Sequence, residues 1–306
     1  MTRRDALKQF YNVIIAVGAS SFLSFEELLA IDEGKITKPN LIWLHGASCS
    51  GCSTSFLNIE SVPLVDILTR FTNVIFHPDV SSATGEHVVE LLEKGSKEPF
   101  LFVLEGSIPY AMPHACMMAD KPMTYWVEML SKNAIACIGA GTCASFGGIT
   151  AMQGMVTGAL PLGEFFKKKN ITKPVVNLPN CPMKPEHLVY TLFYFLKFQA
   201  LPPLDAHARP LRFFKHTIHE RCVYYSDYQE NNFAKHMGDD GCLFNLGCQG
   251  IVTRNDCVIE GHNGNTNICI RAGHPCIGCS SENFPRQIMT RTSTDKRVIK
   301  NFKIVG

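Results

Sequence analysis

The spacing of thirteen cysteines along 306 residues constrains this fold more than any other feature. Two CxxC pairs, Cys49/Cys52 and Cys276/Cys279, stand far apart, with Cys143, Cys181, Cys222, Cys242, Cys248, Cys257 and Cys269 singly between them. Disulfide staples suit small extracellular domains, whereas a chain of this length with 46% apolar residues can build a core without them. An odd count would also leave a thiol over. Zinc modules usually keep both ligand pairs close in sequence. Iron–sulfur clusters accept ligands scattered through a larger fold, and several redox centres in a row would form a path for electrons.

Charge narrows the field. Twenty-nine basic and 27 acidic residues leave a net charge of +2, so no basic excess points to nucleic acid. The run Lys167-Lys168-Lys169 reads as a solvated helix end. At the amino terminus, Thr2-Arg3-Arg4-Asp5-Ala6-Leu7-Lys8 followed by a soft apolar stretch from Phe10 to Leu23 reads as a twin-arginine export leader over residues 1–38. The stretch is too short and too mixed for a membrane span. An amphipathic surface helix is the plainer alternative.

Beyond the leader the pattern is α/β. Apolar runs at residues 41–44, 74–76, 100–104, 134–138 and 175–178 predict five strands, with helical patterns at 62–71, 87–94 and 187–200. Continuous apolar runs alternating with helices predict a parallel sheet covered on both faces. Cys49 and Cys52 follow the first predicted strand, Cys143 the fourth and Cys181 the fifth, while Glu105 ends the third. Four thiols at the carboxyl ends of parallel strands converge on the crevice where open α/β sheets bind ligands, and four thiolates suit a cubane. Gly139-x-Gly141-x-x-Ala144 imitates a dinucleotide fingerprint. It follows a late strand, however, and Glu164 falls in a helical pattern where an acidic strand end is required. These glycines are better read as letting backbone approach a cluster.

Leu201-Pro202-Pro203-Leu204 closes this region, and periodicity then fades over residues 205–306. A segment with so little apolar patterning needs another source of stability, and bound metal supplies it. His219 and Cys222 share a turn, and Cys242, Cys248, Cys257, Cys269, Cys276 and Cys279 complete eight donors, enough for two sets of four. Spacing alone leaves their division open, and zinc would satisfy either set.

Taken together, Cys49-Ser-Gly-Cys52, Leu104-Glu-Gly-Ser-Ile-Pro109, Gly141-Thr-Cys-Ala-Ser-Phe-Gly-Gly148, Asn180-Cys-Pro182, Ile218-His-Glu-Arg-Cys222, Cys242-x5-Cys248 and Ala272-Gly-His-Pro-Cys-Ile-Gly-Cys279 resemble the small subunit of nickel–iron hydrogenases from about Pro39 to Phe284. The resemblance implies a flavodoxin-like parallel-sheet domain over 39–204 and a small, irregular cluster domain over 205–306. It assigns Cys49, Cys52, Cys143 and Cys181 to a proximal 4Fe–4S cluster. His219, Cys222, Cys242 and Cys248 would hold a distal 4Fe–4S cluster, and Cys257, Cys276 and Cys279 a medial one. Many members have proline at Cys269. A fourth thiolate there implies a 4Fe–4S rather than a 3Fe–4S medial cluster, as in the nickel–iron–selenium branch, with a lowered potential.

Other departures matter. Oxygen-tolerant members carry two extra cysteines where this chain has Gly51 and Gly148, which implies a conventional proximal cubane and oxygen sensitivity. Ser48 stands where glutamate is frequent, and Asn180 where glycine commonly precedes the fourth proximal ligand. Cys137 reads as a small hydrophobe in a buried strand. Cys116 carries no assigned role.

The implied partners are a large subunit holding the nickel–iron site and, as electron acceptor, a cytochrome or a membrane quinone-reducing subunit. The implied location is the periplasm, with membrane association only through a partner. The rivals are a quinone-reductase subunit sharing the proximal fold, which would not need the donors after residue 210, and a zinc-stabilised binding protein without redox chemistry.

Overall fold

A computed structural model describes residues 38–152, 156–262 and 264–285. Apart from Lys38, the predicted leader lies outside these residues. Five strands, β1 (Asn40–His45), β2 (Asn73–Phe76), β3 (Phe100–Glu105), β4 (Ala136–Ala140) and β5 (Val175–Leu178), form one parallel sheet in the order β2-β1-β3-β4-β5. This is the flavodoxin-like, doubly wound order, whose ligand crevice opens where the winding reverses between β1 and β3.

Alternation along each strand divides the core. Trp43, Val103 and Ile138 pack on one face beneath α1 (Gly51–Leu57) and α6 (Pro185–Phe198). Leu44, Phe102 and Cys137 pack on the other beneath α2 (Glu86–Gly95), α3 (Met123–Asn133) and α5 (Leu162–Lys169). Each such large side chain taken fully out of water contributes about 1.5–3 kcal/mol. Cys137 is fully buried and, as expected, behaves as an apolar filler.

Three boundaries differ from the sequence expectation. The fourth strand begins two residues later, because Ala134 still closes α3 through its N–H to the Leu130 carbonyl. It then runs on to Ala140, since pairing Glu105 with Ala140 extends the ladder through small residues that periodicity does not register. The segment expected as a helix over 62–71 is a short α turn, Leu64–Asp66, widening into a π turn, Ile67–Phe71. α6 starts at Pro185, which fits the first helical turn, and stops at Gln199 in a left-handed conformation (φ 49°). The lysine run does end α5, where Lys169 pairs with Glu128 at 2.8 Å.

Beyond Leu204 the described residues hold short helical turns and isolated bridges such as Thr217 with Arg254. The buried apolar clusters there are small, Ile218–Val258–Ile270–Cys276 and Ala234–Leu243–Leu246. Polar contacts fasten this segment to the sheet domain. Asn177 binds the backbone of His207 and Ala208. Lys184 and His187 reach Asp256 at 2.8 and 3.0 Å, and the His187 ring stacks on Phe213.

Candidate metal centres

The first centre lies at the carboxyl edge of the sheet. β1 and β3 end side by side, His45 opposite Glu105. The chain then turns through Ser50 (φ 59°) into α1, which sets Cys49 and Cys52 one turn apart. Glu105 organises this turn. One carboxylate oxygen accepts the Cys52 N–H at 3.1 Å and the Ser48 hydroxyl at 2.8 Å. The other accepts the Ser53 N–H at 2.9 Å, the Ser53 hydroxyl at 2.5 Å and His45 Nε2 at 3.1 Å. These bonds satisfy N–H groups that a helix start leaves without partners, and they put negative charge at the positive helix end. Burial pushes the Glu105 carboxyl up, but hydrogen bonds from His45, Ser53 and Ser48 outweigh it and hold the group at about 2.

Cys143 lies in the first turn of α4 (Gly141–Phe146), directly after β4, and Cys181 follows β5. The two loops are joined by the Thr142 N–H on the Asn180 carbonyl at 3.0 Å. Cys143 and Cys181 lie within electrostatic reach of each other, and both reach Cys49 and Cys52. All four predicted thiols are therefore brought to one place. Backbone N–H groups point at them: Met183 N–H meets Cys52 Sγ at 3.4 Å, and Ile149 and Thr150 face Cys143. Two glycines are required by close approach. A Cβ on Gly141 (φ 81°) would strike Cys52 Sγ, and one on Gly148 would lie 2.7 Å from Cys143 Sγ. Burial pushes the Cys181 thiol up to about 11 and Cys52 well above its ordinary value, so these are inert as free nucleophiles. A bound metal removes such protons outright.

In the second centre, His219, Cys222, Cys242 and Cys248 line one apolar pocket walled by Ile218, Leu243 and Ile270. His219 is oriented by ring contacts with Tyr225 (5.2 Å) and Tyr228 (4.5 Å), and burial holds its pKa below the ordinary value. A neutral imidazole is the metal-binding form. Gly250 N–H points at Cys248 Sγ from 3.4 Å. Among the described residues no three His, Cys, Asp or Glu side chains close on a single metal ion. The four donors of this set instead ring the cavity.

In the third group, Cys257, Cys269, Cys276 and Cys279 are mutual electrostatic neighbours. Cys276 is buried and Cys269 exposed. This group touches both others. Cys279 Sγ faces the Cys181 N–H, and Thr142 Oγ1 binds the Cys279 carbonyl. At its other side Cys269 and Cys276 lie within reach of Cys248. Chain order places the His219 set before the Cys257 set, whereas in space the Cys257 set is the middle one.

Sequence reading missed several functional contacts. Glu105 left one signal, a lone acid closing an apolar strand, and Ser48 stood out only as a departure from the family pattern, but the partners His45 and Ser53 left none. The Lys184–Asp256–His187 cluster and the Asn180–Asn255 contact join residues more than sixty positions apart and have no local signature. Cys116 lies beside His45, its thiol 4.0 Å from that carbonyl.

Residues 214–291 match the family model for the carboxyl-terminal part of NiFe/NiFeSe hydrogenase small subunits, and residues 49–195 match that for the 20 kDa subunit of NADH ubiquinone oxidoreductase. The chain is 33% identical to the periplasmic [NiFeSe] hydrogenase small subunit of Desulfomicrobium baculatum, covering 93% of this chain and 96% of that one. It is 32% identical to the periplasmic [NiFe] hydrogenase small subunit 1 of Nitratidesulfovibrio vulgaris, covering 93% and 90%. The solved [NiFeSe] hydrogenase of Desulfovibrio vulgaris Hildenborough superposes with a TM-score of 0.78 at 33% identity, over 82% of this chain and 96% of that one.

The fold and its sulfur-lined crevices are those of an iron–sulfur electron-transfer subunit. The chain belongs to the small subunits of NiFe/NiFeSe hydrogenases, which pair with a nickel–iron large subunit.

Proposed function

We propose that this chain carries electrons, one at a time, between dihydrogen chemistry in its large subunit and an outside acceptor, through three 4Fe–4S clusters. Cys49, Cys52, Cys143 and Cys181 would hold the proximal cluster, Cys257, Cys269, Cys276 and Cys279 the medial one, and His219, Cys222, Cys242 and Cys248 the distal one. Bound clusters supply the redox chemistry. The chain's own residues hold thiolates, point N–H groups at sulfur and keep water from the inner ligands, which are the means by which a protein tunes such centres. The observation that carries this reading is the middle position of the Cys257 group, in contact with Cys181 on one side and Cys248 on the other.

Residues 39–204 and 205–306 are read as two domains, the second stabilised by its clusters. The signal at residues 1–38 supports export of the folded protein by the twin-arginine route, and the two relatives described above are named periplasmic. Among the described residues no helix is long and apolar enough to cross a membrane. A quinone-reducing partner or a cytochrome is the proposed acceptor. A relative in Wolinella succinogenes, 32% identical, is named quinone-reactive. Glycine at positions 51 and 148 supports an ordinary, oxygen-sensitive proximal cubane. The match of residues 49–195 to an NADH ubiquinone oxidoreductase subunit favours a second reading, a quinone-reductase-type subunit. The eight donors beyond residue 210 oppose it.

The test is electron delivery by the purified two-subunit complex. With hydrogen supplied anaerobically, the wild type should reduce a viologen dye. Cys276→Ser should lose most of that rate while hydrogen–deuterium exchange persists. An unchanged dye rate in the variant would overturn the wire.

A further inference from the structure

Hydrogen bonds cross from the first cysteine group to the third along two routes. Thr142, which precedes Cys143 in the first turn of α4, makes one of them. Its N–H donates to the Asn180 carbonyl at 3.0 Å, which holds its backbone against the loop of Cys181. Its hydroxyl donates to the Cys279 carbonyl. Thr142 is 1% exposed, so bulk water does not compete for that hydroxyl. One residue therefore touches backbone beside two thiols of the first group and the backbone of a cysteine of the third.

The other route runs through two carboxamides. Asn255 Nδ2 donates to Asn180 Oδ1 at 3.0 Å, and the Cys257 N–H donates to Asn255 Oδ1 at 3.1 Å. It crosses two hydrogen bonds where the Thr142 route crosses one. A further contact, Cys279 Sγ–H on Asn180 Oδ1 at 3.3 Å, depends on a thiol proton that ligation removes. The Thr142 bond joins a hydroxyl to a carbonyl, so it does not depend on any thiol proton.

An electron passing between two buried centres tunnels, and its rate falls steeply with the gap. Covalent and hydrogen bonds carry it better than a van der Waals gap does. From Cys143 the route needs only the peptide bond to Thr142, the Thr142 side chain, one hydrogen bond and the main chain of Cys279. It is the shorter of the two.

Resting on the functional reading above, we propose that Thr142 is a positioning residue for electron transfer: its hydroxyl, bonded to the Cys279 carbonyl, couples the proximal centre to the medial one. One electron leaves the reduced proximal centre and reduces the oxidised medial centre. No bond breaks and no proton moves with it.

The test mixes the anaerobic two-subunit complex with hydrogen and freezes it at successive times for electron paramagnetic resonance. Thr142→Val keeps the shape and removes the hydroxyl. Its reduced medial signal should grow severalfold more slowly than in the wild type, while its reduced proximal signal grows no more slowly. Thr142→Ser keeps a hydroxyl and should restore the wild-type rate. Medial reduction at the wild-type rate in Thr142→Val, even with stability to denaturant lowered, would make the hydroxyl structural only and overturn the proposal. So would a Thr142→Ser complex as slow as Thr142→Val. Where Thr142→Val does not assemble, a crystal structure of the wild-type complex decides. A hydroxyl bonded to the Cys279 carbonyl would support the proposal, and one turned away from it would overturn it. Wild-type complex purified without iron, or whose medial signal never forms under hydrogen, would overturn the functional reading itself.

Discussion

Glu105 accepts the backbone N–H of Cys52 at 3.1 Å, so the end of β3 holds the helical turn that carries Cys49 and Cys52. The bond spans the point where the sheet's winding reverses, and it makes one carboxylate responsible for both the helix start and the placing of two sulfurs. Replacement tests that role. The Glu105 carboxyl is lowered from 4.5 to about 2, so its contribution is complete above its ordinary range and is lost as pH falls towards 2. Glu105→Gln should be less stable at pH 7 by about 2–3 kcal/mol, with a shallower loss between about pH 4 and 2. Denaturant melts of both proteins across that window check it.

Asp256 ties the segment after Leu204 to the start of α6. Burial pushes its carboxyl up, yet His187 and Lys184 hold it at about 2. His187 is itself fully buried, which pushes its pKa down, and Lys184 lies 2.8 Å from the same carboxylate oxygen. Removing one member of a buried pair leaves the other charge uncompensated. Asp256→Ala should destabilise by about 3–5 kcal/mol, read from chemical denaturation.

Gly141 leaves no room for a side chain beside Cys52 Sγ, and its φ of 81° disfavours one in any case. Gly141→Ala should lose the first cluster, lowering iron by about four atoms per chain while the other two centres keep their resonance signals.

Cys269→Pro removes the proposed fourth medial thiolate. The middle centre should become 3Fe–4S, visible as a new signal in the oxidised state. An unchanged spectrum would remove Cys269 from the ligand set.

His219 lines one pocket with Cys222, Cys242 and Cys248. His219→Ala should slow dye reduction severalfold while hydrogen–deuterium exchange at the large subunit persists. Loss of exchange as well would place His219 elsewhere in the path.

Much of this was legible in the sequence because strand ends and cysteines are local signals. Apolar runs located all five strands, and Cys49, Cys52, Cys143 and Cys181 could be seen to follow them. The fourth strand was misplaced by two residues because Gly139 and Ala140 carry no apolar weight, though their pairing with β3 is real. The segment after Leu204 showed its donors but not their grouping, since no periodic pattern records which loop folds against which. Lys184, His187 and Asp256 escaped for the same reason. Their importance lies in partners distant in sequence, and a single polar residue does not name its partner.

The most direct measurement is iron and acid-labile sulfide per chain in the anaerobically purified complex, after subtracting the iron that the large subunit holds. The account predicts about 12 of each, for three four-iron clusters. About 11 iron with 12 sulfide would keep the wire and make the middle cluster 3Fe–4S. Little iron with zinc in its place would contradict the account.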